Sequence, residues 1–203
     1  MIYDEDYFEK GISTGKSLYQ NFRWIPELII PMAHNITKIC EFKDDNIILD
    51  FGCAKGYLVK ALRLLGYNCF GFDISEYAIS QAPKDIEKFI FSDLKSIEKV
   101  YWVIAKDVLE HIPHDKIDGQ LKILSNFCSN IFVIVPLGDG EKYNSKAYEM
   151  DLTHHIKEDL DWWKQKINHA GYTVTKATYD MLPFKENWSI HEKGNGLLIG
   201  KKK

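Results

Sequence analysis

The sequence has no long hydrophobic run and few cysteines. Its longest apolar stretches, such as Ile131–Leu137, are far shorter than the roughly 18 residues that a membrane-spanning helix needs. The N-terminus is acidic and aromatic, whereas a secretion signal is basic and then apolar. The four cysteines, Cys40, Cys53, Cys69 and Cys128, are widely spread without a metal-ligand spacing, which argues against disulfides and a zinc–thiolate site. We therefore expect a cytoplasmic protein that is not inserted in a membrane.

An excess of positive charge is also absent. The chain has 26 Lys and Arg residues against 29 Asp and Glu residues, which gives a formal net charge of −3 at pH 7. A protein with this balance has no global positive field to attract nucleic-acid phosphates, so we expect no nucleic-acid partner. Hydrophobic residues make up 45% of the chain and charged residues 27%, which excludes intrinsic disorder and indicates a globular protein.

No repeat, low-complexity tract or Pro/Gly-rich linker divides the 203 residues, so we expect a single domain over residues 1–203. From residue 46 onward, short β-prone runs alternate with segments of helical spacing. This alternation predicts an α/β fold, a doubly wound and mostly parallel sheet of seven strands with helices on both faces. The last two strands have no helix between them, which predicts one antiparallel strand. Residues 1–45 are expected to form an N-terminal helical and aromatic cover over the 46–203 core, with one amphipathic helix that starts at Ile25 or Pro26 and ends at Cys40.

The loop after the first predicted strand reads Asp-Phe-Gly-Cys-Ala-Lys-Gly, from Asp50 to Gly56. Loops at this position bind ligands in α/β folds, at the carboxyl ends of the strands. Ala54 stands where a dinucleotide-binding loop needs its second glycine, so NAD and FAD are disfavoured. The Gly11–Ser17 segment is similar to a phosphate-binding P-loop, but its glycines are one residue too close and no strand precedes it.

Three further segments repeat this strand-end pattern. The second, third and fourth strands end in Gly71–Ser75, Phe91–Leu94 and Ala105–Pro113, which contain Asp73, Asp93 and an Asp-Val-Leu-Glu-His motif. Together with the first loop, these motifs resemble, in the same order, those of the class I S-adenosylmethionine (SAM)-dependent methyltransferases. The resemblance covers residues 47–113, and it implies a Rossmann-like sheet, SAM as the cofactor and a methyltransferase activity.

The resemblance also implies roles for individual residues. Asp73 is expected to accept hydrogen bonds from both ribose hydroxyls, while Asp93 and the Leu94 amide bind the adenine and Asp50 supports the loop or the ammonium group. SAM is cationic and needs acceptors more than donors, which suits carboxylates at strand ends. Ala54 replaces the central glycine of the family's first motif, and we expect a slight shift of the loop to accommodate it. The implied cofactor-binding residues are Asp50, Gly52, Cys53, Ala54, Gly56, Asp73, Ile74, Asp93, Leu94, Asp107 and Val108.

Two histidines are candidates for a catalytic base. His111 follows the fourth strand, and His154 matches an Asp-x-Thr-His segment that many of these methyltransferases carry before a Trp-containing helix. A base assists methyl transfer when the acceptor is a hydroxyl or a protonated amine. The alternatives are that His111 braces its loop and that His154 caps the next helix. A metal site built from His111 with His114 and from His154 with His155 lacks the helical spacing of a metalloenzyme motif, so we expect no metal.

The acceptor is expected to be a small molecule. The Asn/Asp-Pro-Pro-Tyr/Phe motif of nucleic-acid amino methyltransferases is absent after the fourth strand, where Asp107–Glu110 stands instead. The predicted acceptor-binding residues are Tyr19, Arg23 and Trp24, together with His154. The N-terminal aromatic residues have two interpretations: packing against the sheet edge, which we favour for any single residue, or closure over the site as a lid that excludes water.

These observations predict a SAM-dependent methyltransferase that methylates a small-molecule hydroxyl, as a monomer or homodimer. Trp188 and His191, between the last two strands, are expected to line the mouth of the same site. Two alternatives stay open. One is a SAM-binding or regulatory module without turnover, and the other is an aminopropyltransferase, which is disfavoured because the N-terminal β-domain of those enzymes is absent.

Overall fold

A computed structural model describes residues 2–97, 99–185 and 192–202, so Trp188 and His191 lie outside the described residues. The strands are β1 (Ile47–Phe51), β2 (Asn68–Phe72), β3 (Ile90–Phe91), β4 (Val100–Lys106), β5 (Cys128–Pro136), β6 (Thr173–Thr178) and β7 (Asn195–Lys201). They form one sheet in the order β3-β2-β1-β4-β5-β7-β6. β7 runs antiparallel to its neighbours β5 and β6, and the other pairings are parallel. The predicted doubly wound α/β sheet with one antiparallel strand is confirmed.

Helices pack on both faces of this sheet. The helices are α1 (Glu5–Glu9), α2 (Gly11–Thr14), α3 (Pro26–Ile39), α4 (Tyr57–Leu64), α5 (Glu76–Ser80), α6 (Ile117–Phe127) and α7 (Leu160–His169). One face of the sheet packs against α3 and α4, and the other packs against α6 and α7. Within the described part of the chain, no helix combines the length and the apolar character that crossing a membrane requires.

The alternation of side chains along the central strands builds the two packed faces. Ile48 and Trp102 belong to a buried cluster with residues of α3 and α4, whereas Leu49 and Val103 belong to a second cluster with residues of α6 and α7. Because β1 and β4 are covered on both faces, their sequences are almost continuously apolar. Polar residues are therefore concentrated where these parallel strands end, and all of those ends meet at one edge of the sheet.

The N-terminal cover contains more helix than the sequence pattern predicted. The short helices α1 and α2 precede the single helix that was expected there. The Asp4 carboxylate caps α1 by accepting a hydrogen bond from the Tyr7 amide at 3.0 Å. Ser75 Oγ donates to the Tyr3 carbonyl oxygen at 2.7 Å, which ties the cover to the loop after β2. The cover therefore lies against the carboxyl edge of the sheet.

Candidate active site

The loop after β1 makes a tight turn at this edge. Gly52 and Ala54 both have left-handed backbones, with φ of 79° and 49°. A Cβ on Gly52 would lie 2.3 Å from a Val108 methyl carbon, so only glycine fits beside the loop that follows β4. Ala54 occupies the same left-handed region with a side chain attached, which costs roughly 1–2 kcal/mol of backbone strain. The departure from glycine is thus accommodated by a strained residue in the cofactor loop.

Asp73, at the end of β2, is held by two backbone amides. Its Oδ2 accepts from the Ala54 amide at 2.7 Å, and its Oδ1 accepts from the Ser75 amide at 2.8 Å. Burial raises the pKa of Asp73, although these amides and that of Ile74 oppose the shift. Each carboxylate oxygen can accept a second hydrogen bond. Asp73 is therefore a fixed acceptor with spare capacity, as ribose hydroxyls require.

Asp50 lies at the carboxyl end of β1 and is 5% exposed. Burial raises the pKa of Asp50 to about 7, while the nearby Lys106 ammonium lowers it and Asp73 raises it further. Lys106 donates at 2.6 Å to Asp107, so its hydrogen bond goes to a different carboxylate. A cationic ligand beside Asp50 would favour its ionised form.

Two adjoining cavities open at this edge. The larger has a volume of about 540 Å³ and the smaller about 220 Å³. The smaller cavity is lined by Asp73, Ile74 and Val108. Aromatic residues of the N-terminal cover also line it, and two of them, Tyr3 and Phe8, do not line the larger cavity. The residues that line both cavities are Tyr7, Tyr19, Gly52, Ala54, Asp107 and His111. The two spaces therefore meet at the loop after β1.

Asp107, just after β4, accepts hydrogen bonds from two lysines. Lys106 donates to its Oδ2 at 2.6 Å, and Lys185 donates to its Oδ1. Lys185 is 7% exposed and also donates to Asn195 Oδ1 at 2.9 Å. Burial favours the neutral form of Asp107, but the two ammonium groups outweigh it and hold its pKa well below its usual range. This carboxylate is therefore ionised and already compensated by the protein.

His111 and His154 stand edge to face in the larger cavity, with ring centroids 4.6 Å apart. His154 Nδ1 lies 3.0 Å from the Tyr148 carbonyl oxygen, which only accepts hydrogen bonds, so this nitrogen carries the proton. His111 Nδ1 lies 2.7 Å from Thr153 Oγ1, whose own proton goes to Asp151 at 2.6 Å. His111 Nδ1 is therefore protonated as well. In both rings the lone pair is then on Nε2, and that of His154 lies 3.9 Å from Asp151 Oδ2.

Burial keeps both imidazoles neutral. It lowers the pKa of His111 to about 4, with His154 adding to the effect, and it lowers the pKa of His154 despite the neighbouring Asp151. Tyr7 donates to Asp151 Oδ2 at 3.0 Å, which links the N-terminal cover to this network. The histidines are thus held by a buried set of hydrogen bonds and do not cap the helix α7, whose N-cap is Asp159.

The structure brings most of the predicted site residues together. The larger cavity is lined by Asp50, Gly52, Cys53, Ala54, Asp107, His111 and His154, with Tyr19 and Arg23 of the predicted acceptor residues. Asp73, Ile74 and Val108 line the smaller cavity.

Four predicted residues line neither cavity. Gly56 packs behind its loop, where an added Cβ would meet Ile86 and Ile90. Asp93 is exposed and accepts from the Lys95 amide at 2.9 Å, Leu94 packs on the second core cluster, and Trp24 packs against the first. The adenine contacts and the Trp24 contact remain predictions.

Other site residues were not singled out from the sequence. Glu110 lies inside the quoted Asp-Val-Leu-Glu-His motif, yet only the structure shows its carboxylate beside the histidines. Lys185 gave no signal, because it lies 78 positions from the aspartate that it binds. Thr153 and Asp151 were visible only as part of the histidine segment.

The residues present fit SAM. Asp73 offers spare acceptor capacity and Asp50 has no cation hydrogen-bonded to it among the described residues, whereas SAM brings hydroxyl donors and two positive groups. Gly52 lines both cavities, so its backbone is accessible to a ligand beside Asp50 in the larger cavity and Asp73 in the smaller one. When bound, SAM supplies an electrophilic methyl group on a sulfonium.

Comparison with known proteins gives the same family. A family model described as a methyltransferase domain matches residues 25–177. The chain is 26% identical over 157 residues to the chloroplastic magnesium protoporphyrin IX methyltransferase of Arabidopsis thaliana. That match covers 72% of this chain and 47% of the relative, so this chain spans about half the length of the curated relative.

Solved structures share the fold. A SAM-dependent methyltransferase from Archaeoglobus fulgidus has a TM-score of 0.66 at 20% identity, covering 85% of this chain and 93% of that one. Magnesium protoporphyrin IX methyltransferase from Synechocystis PCC 6803 with bound SAH has a TM-score of 0.66 at 14% identity, covering 100% and 99%. The family model matches most of the chain, and the class I motifs lie at the strand ends as expected. The chain belongs to the methyltransferase-domain family.

Proposed function

We propose that this protein transfers the methyl group of SAM to a hydroxyl of a small-molecule acceptor. One observation carries the proposal: a single cavity of about 540 Å³ is lined both by the cofactor loop and by His111 and His154. A methyl donor held by Asp50 and Ala54 would thus face the same space as two unprotonated imidazole nitrogens. Methyl transfer is an in-line displacement, so holding donor and acceptor in one cavity supplies much of the catalysis.

The residues of the chain would divide the work. Asp73 and Asp50 hold and orient the cofactor, and Tyr19 and Arg23 line the acceptor side of the cavity. The rings of the N-terminal cover line the smaller cavity, where they would limit the access of water to the bound cofactor. His154 is fixed through its Nδ1 proton, which leaves Nε2 able to accept a proton from a hydroxyl. This histidine is our choice for the base, with His111 as its neighbour.

The test is an assay with methyl-labelled SAM and a panel of small molecules. Matched hydroxyl and amine acceptors of similar shape should be included, as should a magnesium porphyrin, because relatives bear that substrate in their names. We expect label in hydroxyl acceptors together with SAH, and a loss of roughly 100-fold or more in rate for His154→Gln. Surface His155→Gln is the matched control. Methylation of amines alone would contradict O-methylation.

A second candidate, a SAM-binding module without turnover, predicts SAM binding but no methylated product from any acceptor. The larger cavity extends from the cofactor loop to Tyr19 and Arg23, which supports turnover because it offers room for an acceptor beside the cofactor. We also propose that the protein is cytoplasmic, has no nucleic-acid partner, and is a monomer or homodimer. Light scattering coupled to size-exclusion chromatography tests the oligomeric state.

A further inference from the structure

A carboxylate and two imidazoles converge in the larger cavity, in a grouping that differs from the histidine pairs considered in the sequence. His111 meets His154 and Glu110, and one ligand atom from each of the three lies within 4.8 Å of the others. The other two histidines considered in the sequence do not join this grouping. His114 Nε2 lies 3.0 Å from Glu158, and His155 is exposed. We call these three residues the Glu110–His111–His154 cluster.

Both imidazoles are oriented as metal ligands are. In metal sites the second ring nitrogen of a ligating histidine usually donates to a carbonyl, carboxylate or water. His154 donates Nδ1–H to the Tyr148 carbonyl oxygen, and His111 donates Nδ1–H to Thr153, which passes the interaction to Asp151. This pattern fixes both tautomers and presents two Nε2 lone pairs. Two neutral imidazoles prepared in this way are ready to bind a cation without losing a proton.

Glu110 is the independent observation. Its side chain belongs to a residue that is 1% exposed, and its Oε2 has no hydrogen-bond partner among the described groups. A buried carboxyl oxygen without a partner is uncommon, because its desolvation is not compensated. The nearby ammonium groups of Lys106 and Lys185 donate to Asp107 instead. The Glu110 carboxylate therefore lacks the cation that its neighbour has.

We propose that Glu110, His111 and His154 bind one divalent first-row transition-metal ion, such as Zn²⁺, Mn²⁺ or Fe²⁺. Two imidazoles with one carboxylate suit these metals better than Mg²⁺ or Ca²⁺, which prefer oxygen ligands throughout. Tetrahedral ligands about 2.1 Å from a metal lie about 3.4 Å apart, so ligand atoms that are now up to 4.8 Å apart need to approach by as much as about 1.4 Å. Asp107 is not a ligand, since both its oxygens are held by lysines.

The site has a consequence for the reaction, which rests on the proposed function. With the metal bound, the Nε2 atoms of His111 and His154 are ligands, so His154 no longer acts as the base, and the metal ion instead lowers the pKa of a hydroxyl bound to it. The acceptor hydroxyl would release its proton to solvent, and its oxygen would form the new bond to the methyl group as the methyl–sulfur bond breaks. The sulfonium then becomes the neutral thioether of SAH. Metal binding itself does not depend on this step.

The test is a titration of the tag-free, chelator-treated protein with Co²⁺, followed by visible absorption and calorimetry. We expect one Co²⁺ per chain, displaced by Zn²⁺, with an affinity that falls at least about 100-fold in Glu110→Gln, His111→Gln and His154→Gln. His114→Gln and His155→Gln are the matched controls and should bind as the parent does. SAM binding and the unfolding midpoint of each variant show that it has folded.

Several results would overturn the site. These are no saturable Co²⁺ binding by the parent protein, binding unchanged in the folded cluster variants, or equal loss in the His155 control. If all three glutamine variants are unfolded, Co²⁺ protection of the parent His111 and His154 from diethyl pyrocarbonate replaces them, and unprotected histidines would overturn it. Failure of the proposed function gives a different pattern, because Co²⁺ would bind while no hydroxyl acceptor is methylated. Methylation without any metal binding would remove the metal site alone.

Discussion

The carboxyl edge of the sheet has two halves, and the aspartates of the two halves differ in whether the protein supplies a cation for them. At the ends of β1 and β2, burial raises the pKa values of Asp50 and Asp73, and no lysine donates a hydrogen bond to either within the described ranges. At the end of β4, Lys106 and Lys185 hold the pKa of Asp107 low. The first half therefore still has capacity for a cationic ligand, whereas in the second half the protein supplies its own cations. Position at a strand end alone does not make an aspartate a cofactor ligand.

The largest effect is expected where the built-in cation is removed. Lys185→Met removes the buried ammonium group that donates to Asp107 Oδ1, and breaking one side of a buried ion pair costs about 3–5 kcal/mol. Lys106 still donates to Asp107 Oδ2, so we expect a loss near the lower end of that range. Urea denaturation measures the free energy of unfolding. Lys84→Met, whose side chain is 92% exposed, is the matched control and should change it by less than about 1 kcal/mol. Equal losses of unfolding free energy in the two variants would contradict a buried cation that neutralises the second half of the edge.

The pH dependence of SAM binding sharpens the comparison in the first half. If the ionised form of Asp50 binds the cofactor, a pKa of about 7 makes SAM affinity about 10-fold weaker at pH 6 than at pH 8. Calorimetry at pH 6 should also show a proton released on binding. Asp50→Asn should bind more weakly and with a flatter profile.

The same shift acts on folding with the opposite sign. The native protein binds the Asp50 proton more readily than the unfolded chain does. Its contribution to the free energy of unfolding is therefore full at low pH and is lost as pH rises through about 7. Parent and Asp50→Asn profiles that coincide, in binding and in unfolding, would contradict this role for Asp50.

The smallest effect concerns the strained residue between the halves. Ala54→Gly removes a side chain from a left-handed backbone and should raise the free energy of unfolding by about 0.5–1 kcal/mol. The control is Ala177→Gly, in the exposed part of β6, where glycine should lower it by about 0.5–1 kcal/mol. Urea denaturation distinguishes opposite signs. A loss of stability at position 54 would show that its backbone is not strained.

The sequence predicts the core well because its signals are local. Short β-prone runs such as Ile47–Phe51 become buried strands, and glycines such as Gly66 lie just after helix ends. The short helices α1 and α2 were not predicted, because they depend on contacts with the sheet edge rather than on helical periodicity. One such contact is the hydrogen bond between Ser75 and Tyr3.

The candidate site also has residues that the sequence predicts and residues that it does not. Asp73 and His154 belong to motifs that can be read along the chain, so their placement in the cavities was predictable. The lysine that neutralises Asp107 was not, because it is distant in sequence and has no motif. The missing partner of Glu110 is a property of three-dimensional packing and leaves no trace in the residue order.

The most direct test compares Asp73→Asn with Asp107→Asn, measuring SAM affinity by calorimetry and the free energy of unfolding by urea for both. Asparagine preserves shape at each site and tolerates the positive φ of Asp107, so charge is the main change. We predict that Asp73→Asn weakens SAM binding about 10- to 100-fold and lowers the unfolding free energy by about 1–2 kcal/mol, because one of the two backbone amides loses its acceptor. Asp107→Asn should instead lower the unfolding free energy by about 3 kcal/mol and change SAM affinity less than Asp73→Asn does. Equal losses of SAM affinity in the two variants, with equal stabilities, would contradict the division between a half that recruits the cofactor and a half that the protein has already neutralised.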